Sequence, residues 1–227
     1  MKVLLFDPPY ERLMGIKTTP IYPIGLGYLS SVLNKAGHET HYINMDFDPA
    51  LPYSNPFSRT SNIKNYEQYL AEVNSNSNHS VWNELRNIIK SFSPHVVGIS
   101  CITIKMQAAL KMAKIIKECD ENITIILGGH HPQLFPREIL KNSTHIDIIV
   151  KGEGEYPLLG IVNALKSKSS YLDEHFKDIH GIYYRDCKNN NIIETNNSGL
   201  IHNLDDIPFP DPATYFYNSS QKVIPLT

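Results

Sequence analysis

Two short segments rich in Ile and Val, residues 123–127 (ITIIL) and 146–150 (IDIIV), are followed by the glycine-bearing loops GGHHP and KGEGE. Apolar runs of this kind are typical of parallel β-strands that are buried on both faces of a sheet. Glycine at the carboxyl end of such a strand lets the backbone approach a ligand closely, and this edge is where open α/β sheets bind ligands. The sequence therefore predicts a parallel α/β fold with a ligand site at one edge of the sheet.

Strand and helix patterns alternate through residue 166, as in a doubly wound parallel α/β domain. Five strands are predicted, at residues 2–6, 39–44, 95–100, 123–127 and 146–150. Helices are predicted from the spacing of apolar residues at 24–36, 82–92, 106–116 and 157–165. Residues 48–80 are rich in Asn, Ser and Tyr, and we expect a polar surface insertion there. The predicted fold class is a flavodoxin-like, doubly wound, five-stranded parallel sheet.

The character of the sequence changes after residue 167. Residues 181–185 and 191–194 flank an Asn-rich turn, which predicts a small β-hairpin. The proline-spaced segment 204–212 is typical of an extended linker. We therefore expect an α/β domain over residues 1–170, a hairpin extension over 171–203 and a linker over 204–227. A linker implies a further domain, so we interpret the chain as the front portion of a longer polypeptide.

Composition excludes several classes of partner. The chain has 227 residues, 41% of them hydrophobic, and a net charge of −2, which gives no electrostatic case for binding nucleic acid or an anionic membrane. No stretch approaches the roughly 20 apolar residues of a membrane-spanning helix, and the N-terminus does not match a signal peptide. The cysteines, Cys101, Cys119 and Cys187, are too widely separated for a disulfide framework or a metal cluster. We expect a cytoplasmic protein.

The first glycine loop has a functional and a purely structural interpretation. Gly128 and Gly129 are placed either for close approach to a ligand or simply for a tight turn between strand and helix. His130 and His131 point in opposite directions if the backbone is extended, and no acidic or thiol partner lies at ligand spacing, which argues against zinc. A hydrogen-bonding role at a ligand rim and a partly buried structural role remain open for these histidines.

The other candidate side chains have equally simple alternatives. Glu153 and Glu155 resemble a carboxylate pair, but the helix that begins near Pro157 favours Glu155 as a charge at its N-terminus. The role of Glu153 stays open. Thr103 fits a helix N-cap, although hydroxyls such as Ser100 and Thr103 at this strand end can also hold a phosphate or a nucleotide tail.

Two familiar nucleotide and phosphate sites do not fit the sequence. The Gly25–Leu26–Gly27 segment lies far beyond the first strand and has Ser30 at the third glycine position, so a dinucleotide site is excluded. Asp7 and Lys151 match the strand ends of a phospho-acceptor receiver domain. The receiver interpretation fails because Ser100 occupies the position that its aspartate nucleophile requires.

The motifs together resemble the cobalamin-binding domain at the front of cobalamin-dependent radical S-adenosylmethionine enzymes, which include anaerobic magnesium-protoporphyrin monomethyl ester cyclases and several methyltransferases. The stretches that carry this resemblance are residues 7–9 (DPP), 23–29 (PIGLGYL), 97–100 (VGIS), 127–132 (LGGHHP), 150–155 (VKGEGE) and the exit segment 204–210. The resemblance implies that cobalamin binds at the sheet edge. It also implies that a downstream barrel, carrying a CxxxCxxC motif, binds a 4Fe-4S cluster and S-adenosylmethionine in the full-length protein.

The loop after the first strand departs from other cobalamin proteins, which carry DxHxxG there. Residues 7–12 contain no histidine, and His38 and His41 come too late. The resemblance therefore implies cobalamin without a histidine lower ligand, with its nucleotide tail displaced into the sheet edge. We expect neither catalytic nor metal-ligating residues in this chain. The alternative is a non-enzymatic α/β module for another nucleotide-like ligand. The predicted cofactor-binding residues are Asp7, Pro8, Pro9, Gly25, Ser100, Ile102, Thr103, Gly128, Gly129, His130, His131, Gly152, Glu153, Gly154 and Glu155.

Overall fold

Five parallel strands form the centre of the sheet in a computed structural model that describes residues 1–17, 22–51, 63–75, 78–167, 172–186 and 189–216. These strands are β1 (Lys2–Asp7), β2 (Glu39–Asn44), β3 (Val96–Ser100), β4 (Thr124–Gly128) and β5 (Ile148–Val150). Their spatial order is β2-β1-β3-β4-β5. This is the flavodoxin-like order, so the predicted fold class is confirmed.

The central strands are apolar on both sides because helices cover both faces of the sheet. In β1, Val3 and Leu5 belong to one buried cluster while Leu4 and Phe6 belong to the other. Successive side chains of a strand point to opposite faces, so continuous burial requires an apolar residue at every position. This explains why the strands appear in the sequence as unbroken apolar runs.

The longer helices divide between the two faces. One face packs against α1 (Ile24–Lys35), α7 (Glu155–Lys166) and α8 (Leu172–Lys177). The other face packs against α2 (Ile63–Asn74), α3 (Ser80–Phe92), α4 (Met106–Cys119) and α6 (Pro136–Asn142), which follows the short α5 (His130–Leu134). None of the helices in the described part of the chain is long and apolar enough to cross a lipid bilayer.

The sheet extends beyond the five predicted strands at both edges. The hairpin, β6 (Ile182–Arg185) and β7 (Ile192–Glu194), adds to β5 in antiparallel orientation. At the opposite edge the two-residue strand β8 (Tyr215–Phe216) pairs with β2 in parallel orientation. Within the described residues the sheet therefore has eight strands. The hairpin forms because Tyr184 continues one buried face and Tyr183 continues the other.

The structure adds a helix to one predicted region and contradicts the prediction for another. The polar insertion contains α2, which packs through the buried Tyr69 and Val73. The exit segment is not uniformly extended, because residues 204–206 and 212–214 form short 3-10 turns. Several predictions lie outside the described residues: segments 52–62 and 76–77 of the insertion, the boundary at 168–171, Cys187, and the linker beyond residue 216.

Candidate functional site

A cavity of about 260 Å³ opens at the carboxyl edge of the sheet, between the strands and the helices α1 and α7. Eight of the predicted residues line it: Gly25, Ser100, Gly128, Gly129, Gly152, Glu153, Gly154 and Glu155. The lining also includes residues that the sequence did not single out as site residues: Leu5, Leu26, Leu29, Gly98, Ile99, Ile126, Val150 and Leu158. The strand-end loops and the apolar interior of the fold thus form one pocket.

The strand register explains how the pocket reaches below the loops. Leu5 pairs with Gly98, and Gly98 pairs with Ile126, so these three residues form one row across β1, β3 and β4. Ser100 pairs with Gly128 in the row that ends the strands. Since residues two apart in a strand share a face, both rows face the same helices. A Cβ at Gly98 would lie 2.7 Å from Leu5 Cδ2, so the absence of a side chain at residue 98 leaves room for Leu5.

The adjacent glycines of the first loop have different roles. A Cβ at Gly128 would meet no atom within 4 Å, so the missing side chain adds open space to the cavity. A Cβ at Gly129 would lie 2.7 Å from the carbonyl oxygen of Cys101, and the φ of Gly129 is +97°. The tight approach arises because Cys101 N donates a hydrogen bond to the Gly128 carbonyl at 2.8 Å. The missing side chain of Gly128 leaves open space, whereas glycine at residue 129 permits the turn.

The second loop places two carboxylates near the start of α7. Glu155 is the first residue of α7, and Gly154 is its N-cap. A negative charge at this position is favoured by the helix dipole, in agreement with the structural interpretation of Glu155. The Glu153 carboxylate accepts a hydrogen bond from the backbone N–H of Ile201, which follows the hairpin. Glu153 therefore holds the stretch between the hairpin and the exit segment beside the pocket.

Asp7 lies in a partly buried charge cluster instead of lining the cavity. Both carboxylate oxygens of Asp7 lie 2.9 Å from Lys105 Nζ, and Asp46 Oδ2 lies 3.3 Å from the same nitrogen. Burial raises the pKa of Asp7 more than Lys105 lowers it. Burial by itself would lower the pKa of Lys105, but Asp46 and Asp7 outweigh that effect and raise it. Asp46 also accepts hydrogen bonds from the backbone N–H groups of Tyr10 and Arg12. The cluster fixes the loop after β1.

The remaining predicted residues lie outside the cavity lining. Pro8 and Pro9 are buried in the loop after β1. Thr103 Oγ1 lies 3.2 Å from His131 Nδ1, which links the loops after β3 and β4. Neither the 3-10 turn at residues 103–105 nor α4 has a side-chain N-cap, so the interpretation of Thr103 as a cap was wrong. His130 contacts Gln133, and Ile102 is 43% exposed.

The structure also bears on metal binding. In the residues described, no group of three or more His, Cys, Asp or Glu side chains is arranged to hold a metal ion. Cys101 is buried, and burial raises the pKa of its thiol to about 12. The cavity itself has an apolar interior and polar groups at its mouth. Such a lining suits an organic ligand.

The sequence matches the B12 binding domain family over residues 18–162, which is more than half of its length. The chain belongs to the B12 binding domain family. This confirms the resemblance that the strand-end motifs indicated. The family match includes the loops after β3, β4 and β5, which form most of the mouth of the cavity in this B12 binding domain.

Three curated relatives are much longer than this B12 binding domain. An uncharacterized methyltransferase of Pyrococcus horikoshii is 32% identical over 214 residues, which cover 92% of this chain and 38% of the relative. An anaerobic magnesium-protoporphyrin IX monomethyl ester cyclase of Rubrivivax gelatinosus is 33% identical over 101 residues, covering 44% of this chain and 18% of the relative. The cobalamin-dependent radical SAM methyltransferase TokK of Streptomyces tokunonensis is 31% identical over 62 residues, covering 27% and 9%. The chain spans less than two fifths of each relative.

Proposed function

We propose that this chain binds cobalamin at the carboxyl edge of its sheet, with the nucleotide tail in the cavity and the corrin ring outside it, against the rim. The single observation that carries this proposal is the 260 Å³ cavity, which the strand-end glycines open at the edge matched by the B12 binding family. The predicted rim residues Ile102, Thr103, His130 and His131 stay part of the proposal.

The residues present fit the tail of the cofactor. The cavity, about 260 Å³, is of a size for a bicyclic aromatic base and is much smaller than a corrin ring needs. The open position at Gly128 admits the tail, and the Ser100 hydroxyl and the loop backbone supply hydrogen bonds at the mouth.

The contribution of this chain would be binding and orientation. Bound cobalamin supplies methyl-transfer or radical chemistry that no amino-acid side chain provides. The partly buried Asp7–Lys105 pair would keep the loop after β1 in place beneath the ligand. That loop has no histidine among residues 8–17, so the proposal includes a lower face without a histidine from this loop.

We assign the remaining chemistry to a radical S-adenosylmethionine barrel elsewhere in the polypeptide, which would bind a 4Fe-4S cluster and S-adenosylmethionine. Cys101 precedes α4 and Cys119 ends it. A helix of 14 residues separates their positions by about 20 Å. These two cysteines therefore cannot bind one cluster together, and Cys187 lies outside the described residues. The longer relatives support a further domain.

A module for a free nucleotide is less well supported. Glu153 and Glu155 line the cavity, and the described lining residues include neither Lys nor Arg. Carboxylates repel a nucleotide polyphosphate, and cations that normally neutralise it are absent from this lining. The tail of cobalamin carries a single phosphodiester charge, which would lie at the open mouth in water, and the corrin ring is held largely by shape and apolar contact.

Titration of the chain with hydroxocobalamin, followed by the corrin absorption spectrum, tests the proposal. Gly128→Leu places a side chain in the cavity and should weaken binding at least about tenfold, since the tail is excluded. Asn87→Leu, on the exposed side of α3, adds similar bulk outside the cavity and should leave binding unchanged. No spectral change with the parent chain at a millimolar concentration of ligand, or equal binding by Gly128→Leu, would contradict the proposal.

A further inference from the structure

The interior of the cavity lacks hydrogen-bonding side chains. The row Leu5, Gly98 and Ile126 lies one level below the strand ends, and α1 and α7 cover it with Leu26, Leu29 and Leu158. All of these side chains are apolar or absent. The polar side chains among the described lining residues, Ser100, Glu153 and Glu155, belong to the strand ends and the loop beyond them.

The backbone N–H and C=O groups of the interior row are not available to a ligand either. β1 pairs with β2 and β3, β3 pairs with β1 and β4, and β4 pairs with β3 and β5. The peptide groups at Leu5, Gly98 and Ile126 are therefore committed to neighbouring strands on both sides. A ligand group that enters to this depth loses its water and finds no partner in return.

We propose that this cavity selects the lower base of the cobalamin-type ligand, accepting an apolar benzimidazole and disfavouring adenine. The inference rests on the proposed function and deepens it. Both bases expose one ring nitrogen once the base leaves the cobalt. Adenine also carries an exocyclic amine and two more ring nitrogens, each of which would be buried without a hydrogen bond. The methyl groups of a dimethylbenzimidazole gain from burial against Leu26, Leu29 and Leu158.

The discrimination should be moderate. A hydrophobic pocket rejects a polar analogue of similar shape by about ten- to hundredfold, because no steric clash adds to the lost hydrogen bonds. The size of the cavity does not exclude either base, since both are bicyclic. Chemistry, and not volume, would therefore decide which base is bound.

A substitution at Leu29 can change the selectivity for the base without disrupting the fully buried core. It is half-buried on α1 and lines the cavity, so Leu29→Gln keeps most of the side-chain volume while adding a donor and an acceptor. We expect Leu29→Gln to narrow the preference for benzimidazole over adenine at least about threefold. Leu165→Gln makes the same change at a half-buried position of α7 outside the cavity lining and should keep the parent ratio.

The test measures dissociation constants of the 227-residue chain for cobalamin, its adenine-base analogue and cobinamide, which has no nucleotide tail. Cobalamin should bind about ten- to hundredfold more tightly than the adenine analogue. Equal dissociation constants for cobalamin and its adenine analogue would overturn the proposed selectivity. If cobinamide binds as tightly as cobalamin, the nucleotide tail is not bound in the cavity, although the corrin ring is still bound by the chain. Failure of all three to bind would overturn the proposed function itself. If Leu29→Gln leaves the ratio of the two dissociation constants unchanged, the base does not bind beside Leu29.

Discussion

At the scale of single residues, the two glycines of the loop after β4 differ in what a side chain would cost. Gly129 has a φ of +97° and no room for a Cβ beside Cys101, whereas a Cβ at Gly128 meets only open space. Left-handed backbone is costly for any residue with a Cβ, and the contact with Cys101 adds to that cost.

We expect Gly129→Ala to lower the free energy of unfolding by about 2 kcal/mol or more, because it combines backbone strain with a clash. Gly128→Ala should change it by less than about 0.5 kcal/mol. Urea unfolding of both variants, followed by circular dichroism, gives the comparison. Equal losses for the two alanine variants would show that the local geometry at Gly129 is not as described.

Residue-level inference from the sequence reached the mouth of the site but not its interior. Gly128, Gly152 and Ser100 could be placed because parallel strands end at a common edge. Leu5 and Gly98 could not, because the depth of the cavity depends on the register between strands that are more than 90 residues apart. Asp7 shows a further limit, since its partner Lys105 is distant in sequence and its pairing depends on the fold.

At the scale of elements, buried charge holds the strand-end loops together. Lys105, at the end of the turn that follows β3, bridges Asp7 at the end of β1 and Asp46 just after β2. Arg12, in the same loop after β1, donates to Glu84 of α3 at 2.6 Å. These charges link the loop after β1 to the segment after β2, the turn after β3 and helix α3, in addition to the apolar burial of Leu13 and Met14.

Lys105→Met should destabilise the chain by about 3 kcal/mol at pH 7, because it leaves Asp7 and Asp46 buried without a cation. The pKa of Asp7 is already raised by burial and rises further without Lys105. The native variant therefore takes up a proton at higher pH than the unfolded chain, so the deficit should shrink as pH falls from 7 toward 4. Urea unfolding of the parent and the variant at several pH values measures this deficit in the free energy of unfolding. Lys105→Arg retains the cation and should lose less stability than Lys105→Met. A deficit independent of pH would point to lost packing and not to charge.

Element prediction from the sequence was strongest for long periodic segments and weakest for short ones. The helix α4 and the central strands carry enough apolar residues to define their period. A strand of two residues such as β8 has no period, and it forms only because β2 offers an unpaired edge. The helix α2 was missed because Tyr69 and Val73 are its only fully buried residues among polar neighbours.

At the scale of the whole molecule, three histidines spread over the fold are partly or fully withdrawn from water. His38, which precedes β2, is 4% exposed, and its Nε2 lies 3.0 Å from Asn163 Oδ1 on α7. His41 lies within β2, and His79 is the N-cap of α3. Burial lowers the pKa of all three histidines, so the folded protein holds them neutral.

These histidines predict that the fold weakens in mild acid. An unfolded histidine takes up its proton near pH 6.5, whereas His38, His41 and His79 in the folded chain resist protonation until a lower pH. Between pH 7 and pH 5 the unfolded chain therefore binds more protons, and acidification favours it. The free energy of unfolding measured in urea should fall over this range. His38→Gln keeps a donor for Asn163 and should reduce the slope, while His202→Gln, at an exposed position, should leave it unchanged. A parent protein with no such slope, or a slope that His38→Gln does not alter, would show that His38 is not held neutral by burial.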